Sequence, residues 1–278
     1  MAIDNRWGAV SAGDWSSRRV RVALTSRAKK LTGRQVAHAS CFVGRRSRCP
    51  LDPSRFSVLA VNWNTVDFLE VFLRAIPQFS PDADIIIVDN GSKDGSREVL
   101  RASRAKAILL PFNIGHGPGL DLAASRVHTE FFVALDIDAF PVRSDWLDRL
   151  RSELDAGSAV VGGHMQRGYA HPSVLAMRTA DFRERHHTFL NSAFKPGKFV
   201  PGVDWDVGER ISMREQPRVS LMQPSEVRGP GVIGTVYDDI VYHNWFSSQG
   251  PEDRRTAARE AWSEAVERFL DAPSAANS

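Results

Sequence analysis

Two acidic residues, Asp136 and Asp138, are separated by one residue and directly follow the segment 130–135, which is apolar after Glu130. In extended backbone, residues two apart point to the same side, so both carboxylates would face one site. Paired oxygen ligands of this kind are typical of Mg²⁺ or Mn²⁺ bound together with substrate phosphate. A lone D-x-D is more often a turn or a helix cap, but the strongly apolar strand before this pair favours a metal site.

Polar residues also follow three earlier apolar runs. Asn62 ends the first run, Asp89 ends the second, and Asn113 opens a glycine-rich stretch after the third. A carboxylate at such a position can accept hydrogen bonds from a nucleoside, although the N-G and D-G pairs after Asp89 are also ordinary turn dipeptides. The glycine-rich stretch lacks the third glycine of a dinucleotide-binding loop, since Leu120 stands there, and the sequence contains no Walker-type phosphate loop.

Short apolar runs that alternate with amphipathic segments predict the elements that position these residues. Runs that are apolar on both faces indicate an α/β fold with a mainly parallel sheet covered by helices on both sides. Ligands of such sheets bind at the carboxyl ends of the strands, where the polar residues lie. The expected strands are 56–61, 84–88, 106–110, 130–135, 159–163 and 173–177, with a strand or loop over 232–242. The expected helices are 65–76, 96–103, 119–127, 144–154, 203–213 and 252–270.

Charge divides the chain into a basic extension and an acidic body. Residues 1–50 hold eleven Lys and Arg against two Asp, a net charge of +9, whereas the remaining residues carry −6. The two cysteines, Cys41 and Cys49, both lie in the extension, so the body has no disulfide framework, thiol nucleophile or cysteine-based zinc site. The sequence shows neither a bilayer-spanning apolar run nor a secretory signal, so we expect a cytoplasmic protein.

The extension, residues 1–54, is expected to be poorly ordered or partly helical, and residues 251–278 are expected to form a C-terminal helix and tail. The basic residues fit an electrostatic tether to anionic lipid, worth at most about 1 kcal/mol for each Lys or Arg near the surface. Nucleic acid is not an expected partner, because the body is acidic and the extension has few aromatic residues to stack on bases.

Several motifs, in one order, resemble the family-two glycosyltransferases of the GT-A fold. They are V-N-W-N (61–64), I-V-D-N-G-S-x-D-G-S (87–96), N-I-G-H-G (113–117), D-I-D (136–138), G-V-D-W-D-V (202–207) and V-Y-H-N-W-F-S (241–247). The last segment is similar to that of rhamnosyltransferase-like members. The resemblance implies one Rossmann-like α/β domain over 55–250, with a nucleotide-binding half about 55–140 and an acceptor half about 141–250 on one mixed, mainly parallel sheet.

The resemblance also implies roles for individual residues on the donor side. The positions that hold the nucleotide sugar are matched by Asn62, Asp89, Asn113 and Asp136. The positions that hold Mn²⁺ or Mg²⁺ are matched by Asp136, Asp138 and His243. Asp136 is therefore expected to reach either the ribose or the metal.

The acceptor side departs from the family pattern. Asp204 matches the general base that deprotonates the acceptor hydroxyl, but Val203 stands where an acidic residue usually precedes it, so Asp206 stays open as an alternative base. Trp205, between them, can form a platform for a sugar ring or can pack as an ordinary aromatic residue. Asp121 stands where the glycine-rich loop of the family usually ends in Asn, which leaves the donor contacts there open.

The implied reaction is metal-assisted single displacement with inversion, from a UDP-, dTDP- or GDP-linked sugar to a hydroxyl of a glycan or lipid-linked saccharide. Peripheral contact of residues 1–50 with the inner face of the membrane would suit a lipid-linked acceptor. Two alternatives stay open: a sugar-nucleotide-binding protein or nucleotidyltransferase of similar fold, which the residues after the first strand disfavour, and a nucleic-acid-binding protein, which the acidic body disfavours.

Overall fold

The computed structural model describes residues 31–33, 35–40, 50–164, 168–190, 207–245 and 252–272. Helical residues 31–33 and 35–40 form α1. They are followed by β1 (Asp52–Asn62), α2 (Val66–Phe79), β2 (Asp84–Asp89), α3 (Ser96–Ala102), β3 (Lys106–Leu109), α4 (His116–Ala124) and β4 (Thr129–Leu135). Within the described part of the chain, every helix is too short or too polar to cross a bilayer.

The second half of the body begins with a short strand and closes with a long helix. Its elements are β5 (Ala139–Pro141), α5 (Trp146–Asp155), β6 (Val160–His164), β7 (Ala170–Arg178), α6 (Thr179–Glu184), α7 (Glu209–Glu215), β8 (Val219–Met222), β9 (Pro224–Val227), β10 (Thr235–Tyr237), β11 (Val241–His243) and α8 (Glu252–Val266). A π-helical turn, Glu267–Asp271, continues α8.

A seven-stranded sheet organises the body, with strand order β3-β2-β1-β4-β7-β6-β8. The neighbours among β1 to β4 are parallel, β6 and β8 are parallel, and β7 runs antiparallel to both of its neighbours. This confirms the predicted mixed, mainly parallel sheet flanked by helices. Because β2, β1 and β4 are adjacent and parallel, their carboxyl ends bring Asp89, Asn62 and Asp136 to the same end of the sheet.

Side chains along β1 alternate between two cores. Val58 and Ala60 belong to the cluster that contains the buried side chains of α2 and α5, and Leu59 and Val61 belong to the cluster that contains those of α4. Helices therefore cover both faces of the sheet, which explains why the run 58–61 is apolar on both of its faces.

A second sheet, with four antiparallel strands in the order β5-β11-β10-β9, follows β4 directly through β5. The turn between β10 and β11 contains Asp238 and Asp239, both with positive φ. Trp262 on α8 packs edge-to-face against Phe68 and Phe140, with ring centroids 4.8 and 5.3 Å apart. The closing helix expected over 252–270 is thus present and seals one face of this sheet.

Several boundaries differ from the sequence prediction. α4 begins at His116 rather than Gly119, because Pro118 is tolerated in the first turn of a helix. α7 begins at Glu209 because Gly208 is left-handed, with φ of +82°, and the earlier part of that predicted helix, 203–206, lies outside the described residues. The strands β5, β8 and β9 were not predicted, since runs of three or four residues carry no clear period.

Candidate active site

Asp136, Asp138 and His243 come together where β4 leads into β5. β5 pairs with β11 so that His243 lies opposite Ala139, the residue after Asp138. The Nε2 atom of His243 is 3.4 Å from Asp136 Oδ2 and 3.4 Å from Asp138 Oδ1. The pairing of β5 with β11 thus places the His243 imidazole next to the two carboxylates, which follow strand β4 of the main sheet.

These three residues fit a divalent cation. One ligand atom from each lies within 4.8 Å of the other two, the only such group of His, Cys, Asp and Glu found among the described residues. Asp136 Oδ1 and His243 Nδ1 are buried and make no hydrogen bond with the described part of the chain. Carboxylates suit Mg²⁺, and a mixture of carboxylates and imidazole suits Mn²⁺, so the donor set fits either ion.

Two histidines approach the carboxylate pair, His243 on one side and His116 on the other. Burial by itself lowers the pKa of His243, but Asp138 and Asp136 outweigh burial and raise the pKa of this imidazole above its ordinary value. On the other side, His116 Nε2 lies 3.3 Å from Asp136 Oδ1. His116 is not among the predicted site residues, and the only sequence signal for it is its position in the glycine-rich stretch after a strand end.

Asn62 and Asp89, which are predicted to hold the nucleoside, bond to each other. Asn62 Nδ2 donates to Asp89 Oδ2 at 3.0 Å and to Ser92 Oγ at 3.1 Å. Asp89 Oδ1 accepts hydrogen bonds from the N–H groups of Gly91 and Ser92 at 3.1 and 3.0 Å. Both side chains are fully buried and order the turn after β2. Their contact with a nucleoside stays a prediction.

Asn113 lies in the glycine-rich loop that joins β3 to α4. Its Oδ1 accepts a hydrogen bond from the N–H of Gly115 at 2.8 Å, so its side chain shapes its own loop. Asn90 Nδ2 donates to the carbonyl oxygen of Gly115 at 3.1 Å and links this loop to the turn after β2. The loop is therefore held between two strand ends, and its next residue, His116, reaches Asp136.

α1 packs directly against the glycine-rich loop. A Cβ atom at Gly33 would lie 2.4 Å from the carbonyl oxygen of Ile114 and 3.1 Å from Cγ of Pro118, so only glycine lets the backbones approach this closely. Ala37 and Ser40, on the same face of the helix, are buried. The basic extension thus contributes an element that supports the candidate site.

The acceptor-side predictions fall between two described segments. The residues concerned lie outside the described residues: Asp204, Trp205 and Asp206. Before them, the described chain ends at residue 190, shortly after Thr188 donates a hydrogen bond to Asp121 on α4 at 2.5 Å. After them, it resumes at Val207, close to the start of α7. The described segments on either side of residues 191–206 therefore both contact the body of the protein.

The protein-family model described as Glycosyl transferase family 2 matches residues 57–203, more than half of the chain. The match includes the predicted site residues Asn62, Asp89, Asn113, Asp136 and Asp138, whereas His243 lies beyond it. Comparison with curated protein sequences finds no significant match.

Three solved structures are similar to this chain at low sequence identity. The mannosyltransferase PcManGT from Pyrobaculum calidifontis, in complex with GDP-Man and Mn²⁺, is 17% identical, with 59% of this chain and 57% of that chain covered and a TM-score of 0.43. S. aureus TarS 1-349 in complex with UDP-GlcNAc is 16% identical, with coverage of 76% and 66% and a TM-score of 0.47. Glucosyl-3-phosphoglycerate synthase from Mycobacterium tuberculosis, in complex with phosphoglyceric acid, is 16% identical, with coverage of 77% and 80% and a TM-score of 0.46. This chain spans less than two thirds of the length of the first two structures. The family is therefore assigned from the family model and not from these structures.

Proposed function

Because the chain belongs to glycosyl transferase family 2, we propose that it moves a sugar from a nucleotide-diphosphate sugar to an acceptor hydroxyl. The observation that carries this proposal is the cluster of Asp136, Asp138 and His243, whose ligand atoms lie within 4.8 Å of one another. His243, in the segment 241–247, supports a rhamnosyltransferase-like member of this family. The donor is a UDP-, dTDP- or GDP-linked sugar.

On the donor side, Asp136, Asp138 and His243 are the residues that would hold Mn²⁺ or Mg²⁺. When bound, the ion supplies positive charge that stabilises the diphosphate leaving group. Asn62 and Asp89, at adjacent strand ends, hold the nucleoside. Asn113 shapes the glycine-rich loop that borders the sugar nucleotide, with Asp136 reaching either the ribose or the metal.

On the acceptor side, Asp204 takes the proton of the attacking hydroxyl. The acceptor oxygen bonds to the anomeric carbon as the bond from that carbon to the phosphate oxygen breaks, so the configuration inverts. General-base assistance of this kind contributes about 10²–10⁴ in rate. Asp206 is the alternative base, and Trp205 offers an apolar face to a sugar ring.

A donor screen tests the proposal. The purified protein is titrated with UDP-, dTDP- and GDP-sugars, with and without Mn²⁺, and both binding and slow donor hydrolysis are measured. We expect one nucleotide class to bind in a metal-dependent way, Asp138→Ala to lose that dependence, and Glu70→Gln, which changes an exposed carboxylate on α2, to keep it. The proposal fails if no nucleotide sugar binds and Asp138→Ala leaves metal affinity unchanged.

Two further measurements test the mechanism. Asp204→Asn should abolish transfer while donor affinity is kept, and the same result from Asp206→Asn instead would assign the base to that residue. NMR of the anomeric proton in the product should show the configuration opposite to that of the donor. Retained configuration would reject single displacement.

The acceptor is a glycan or a lipid-linked saccharide, and residues 1–50 bring the protein to anionic lipid on the cytoplasmic face of the membrane. Because α1 supports the glycine-rich loop, the deletion that tests this contact should stop at residue 30; it removes seven of the eleven basic residues. The shortened protein should float less than the full chain with anionic vesicles and should bind donor equally well. Equal flotation of both proteins would refute the lipid contact.

A further inference from the structure

Asp121 is a buried carboxyl group that the proposed chemistry does not use. It lies on α4, and only 2% of it is exposed. Its Oδ2 accepts a hydrogen bond from Thr188 Oγ1 at 2.5 Å, and its Oδ1 accepts one from the N–H of Phe189 at 2.8 Å. Both oxygens of one carboxyl group thus tie α4 to the segment 187–190.

The segment 187–190 also packs against α4 along its backbone. A Cβ atom at Gly117 would lie 2.5 Å from the carbonyl oxygen of Phe189, whose side chain is fully buried. At the other end of the segment, His187 Nε2 is 2.7 Å from Glu215 Oε1 on α7. One short stretch of chain is therefore held by α4 and by α7.

Chain connectivity links this contact to the acceptor side. Residues 191–206, which include the proposed base Asp204, connect the segment 187–190 to α7. α7 carries Arg210, whose charge acts on Asp121. Asp121 therefore interacts with the chain on both sides of that connection, while its own helix begins in the glycine-rich loop beside the candidate metal site.

We propose that Asp121 is a positioning residue for sugar transfer. Its hydrogen bonds with Thr188 and Phe189, here called the tie, join the donor-side helix α4 to the acceptor side of the chain. The tie weakens when the carboxyl group of Asp121 ionises. The effect on transfer rests on the proposed function, whereas the tie itself does not. Either protonation state can make both contacts, because a neutral carboxyl group can exchange donor and acceptor roles with a hydroxyl group. The two states differ in the cost of burial, which falls on the charged form.

Burial, the largest influence, raises the pKa of Asp121 to about 7, although its two hydrogen bonds and the charge of Arg210 act in the opposite direction. α4 contacts β1 and β2 through apolar side chains, and His187 forms its ion pair with Glu215. Among the described elements packed near Asp121, the charged group that acts on this carboxyl group is therefore Arg210. Since an exposed Asp has a pKa of about 3.9, protonation favours the tied state. The tie should weaken as pH rises from about 4 to about 7 and then stay constant.

Hydrogen exchange tests the tie without any substrate. After correction for the intrinsic exchange rate, protection of the Phe189 N–H should fall by up to about tenfold per pH unit between about pH 4 and 7 and then level off. Asp121→Asn, an isosteric variant that cannot ionise, should lack this decline. The same pH dependence in both proteins would overturn the proposal.

Two variants of the hydroxyl partner test the contact from the other side. The bond from Thr188 lowers the pKa of Asp121, so Thr188→Val should extend the decline in protection to higher pH. Thr188→Ser keeps the hydroxyl group and should leave the wild-type profile in place. A decline that ends at the same pH in both variants would show that this hydrogen bond does not act on the carboxyl group and would overturn the tie.

Transfer kinetics distinguish positioning from a merely structural role. The ratio of wild-type kcat to that of Asp121→Asn should fall as pH rises towards about 7, while the Kd for the donor is equal in both proteins at each pH. The titration of the general base cancels in this ratio. A ratio that is constant with pH would overturn the positioning role. If no donor is turned over, the proposed function fails, and hydrogen exchange still decides whether the tie exists.

Discussion

The carboxylates of Asp136 and Asp138 should destabilise the metal-free protein, so that removal of one charge stabilises the fold and abolishes metal binding. Their ligand atoms lie within 4.8 Å of each other, and an effective dielectric constant of about 20 gives a repulsion of roughly 3.5 kcal/mol at that distance. Solvent screens this repulsion weakly, because the two side chains are only 16% and 13% exposed. At a pH high enough to leave the His243 imidazole neutral, we expect Asp138→Asn to raise the free energy of unfolding by about 1–3 kcal/mol.

Thermal unfolding with and without Mn²⁺ measures both effects. Each kcal/mol should raise the Tm of a domain of this size by about 2–4 °C. Mn²⁺ at about 100 times its Kd should stabilise the wild-type protein by about 2.7 kcal/mol and the variant not at all. Glu70→Gln is the matched control, which should leave both the metal-free Tm and the Mn²⁺ shift unchanged. A lower metal-free Tm for Asp138→Asn together with a full Mn²⁺ shift would refute the reasoning.

Three further perturbations probe other parts of the site. Gly33→Val should displace α1 from Ile114 and weaken donor affinity about tenfold, or about 1.4 kcal/mol, in calorimetric titrations, whereas Leu31→Ala, at an exposed position of the same helix, should not. Asn62→Ala should lower the free energy of unfolding in urea by about 1–3 kcal/mol, since it leaves buried partners unpaired; an unchanged midpoint would contradict the buried network. Because neighbouring carboxylates raise the pKa of His243, Mn²⁺ affinity should fall as pH is lowered through the range above about 6.5, and an affinity independent of pH would remove this imidazole from the ligand set.

The main sheet was predictable because its strands repeat a local signal. Runs such as 56–61 and 84–88 are apolar at nearly every position on both faces and are separated by amphipathic helices, the pattern of strands that are covered on both faces. Once the strands are known to be parallel, the polar residues that follow them must share one end of the sheet. The proximity of Asn62, Asp89 and Asp136 follows from this reasoning alone.

Contacts between distant segments did not follow from such patterns. β5 and β11 have three residues each, too few to show a period, and the choice of partner for so short a strand depends on its tertiary surroundings. The resemblance to a family pointed to His243, but no local feature of the sequence shows which side chains it meets. In the sequence, Asp121 is likewise only one polar residue in a predicted helix, and no local feature identifies Thr188 as its hydrogen-bond partner.

By itself, the amino-acid sequence determined the mainly parallel sheet, the residue types at the carboxyl ends of its parallel strands and the division of charge between a basic extension and an acidic body. Only the tertiary structure decided that His243 lies 3.4 Å from both carboxylates, that Gly33 packs on the glycine-rich loop and that Asp121 bonds to the segment 187–190. The physical reason is that apolar periodicity is a local property of the chain, whereas strand pairing and loop packing join residues that are far apart in sequence.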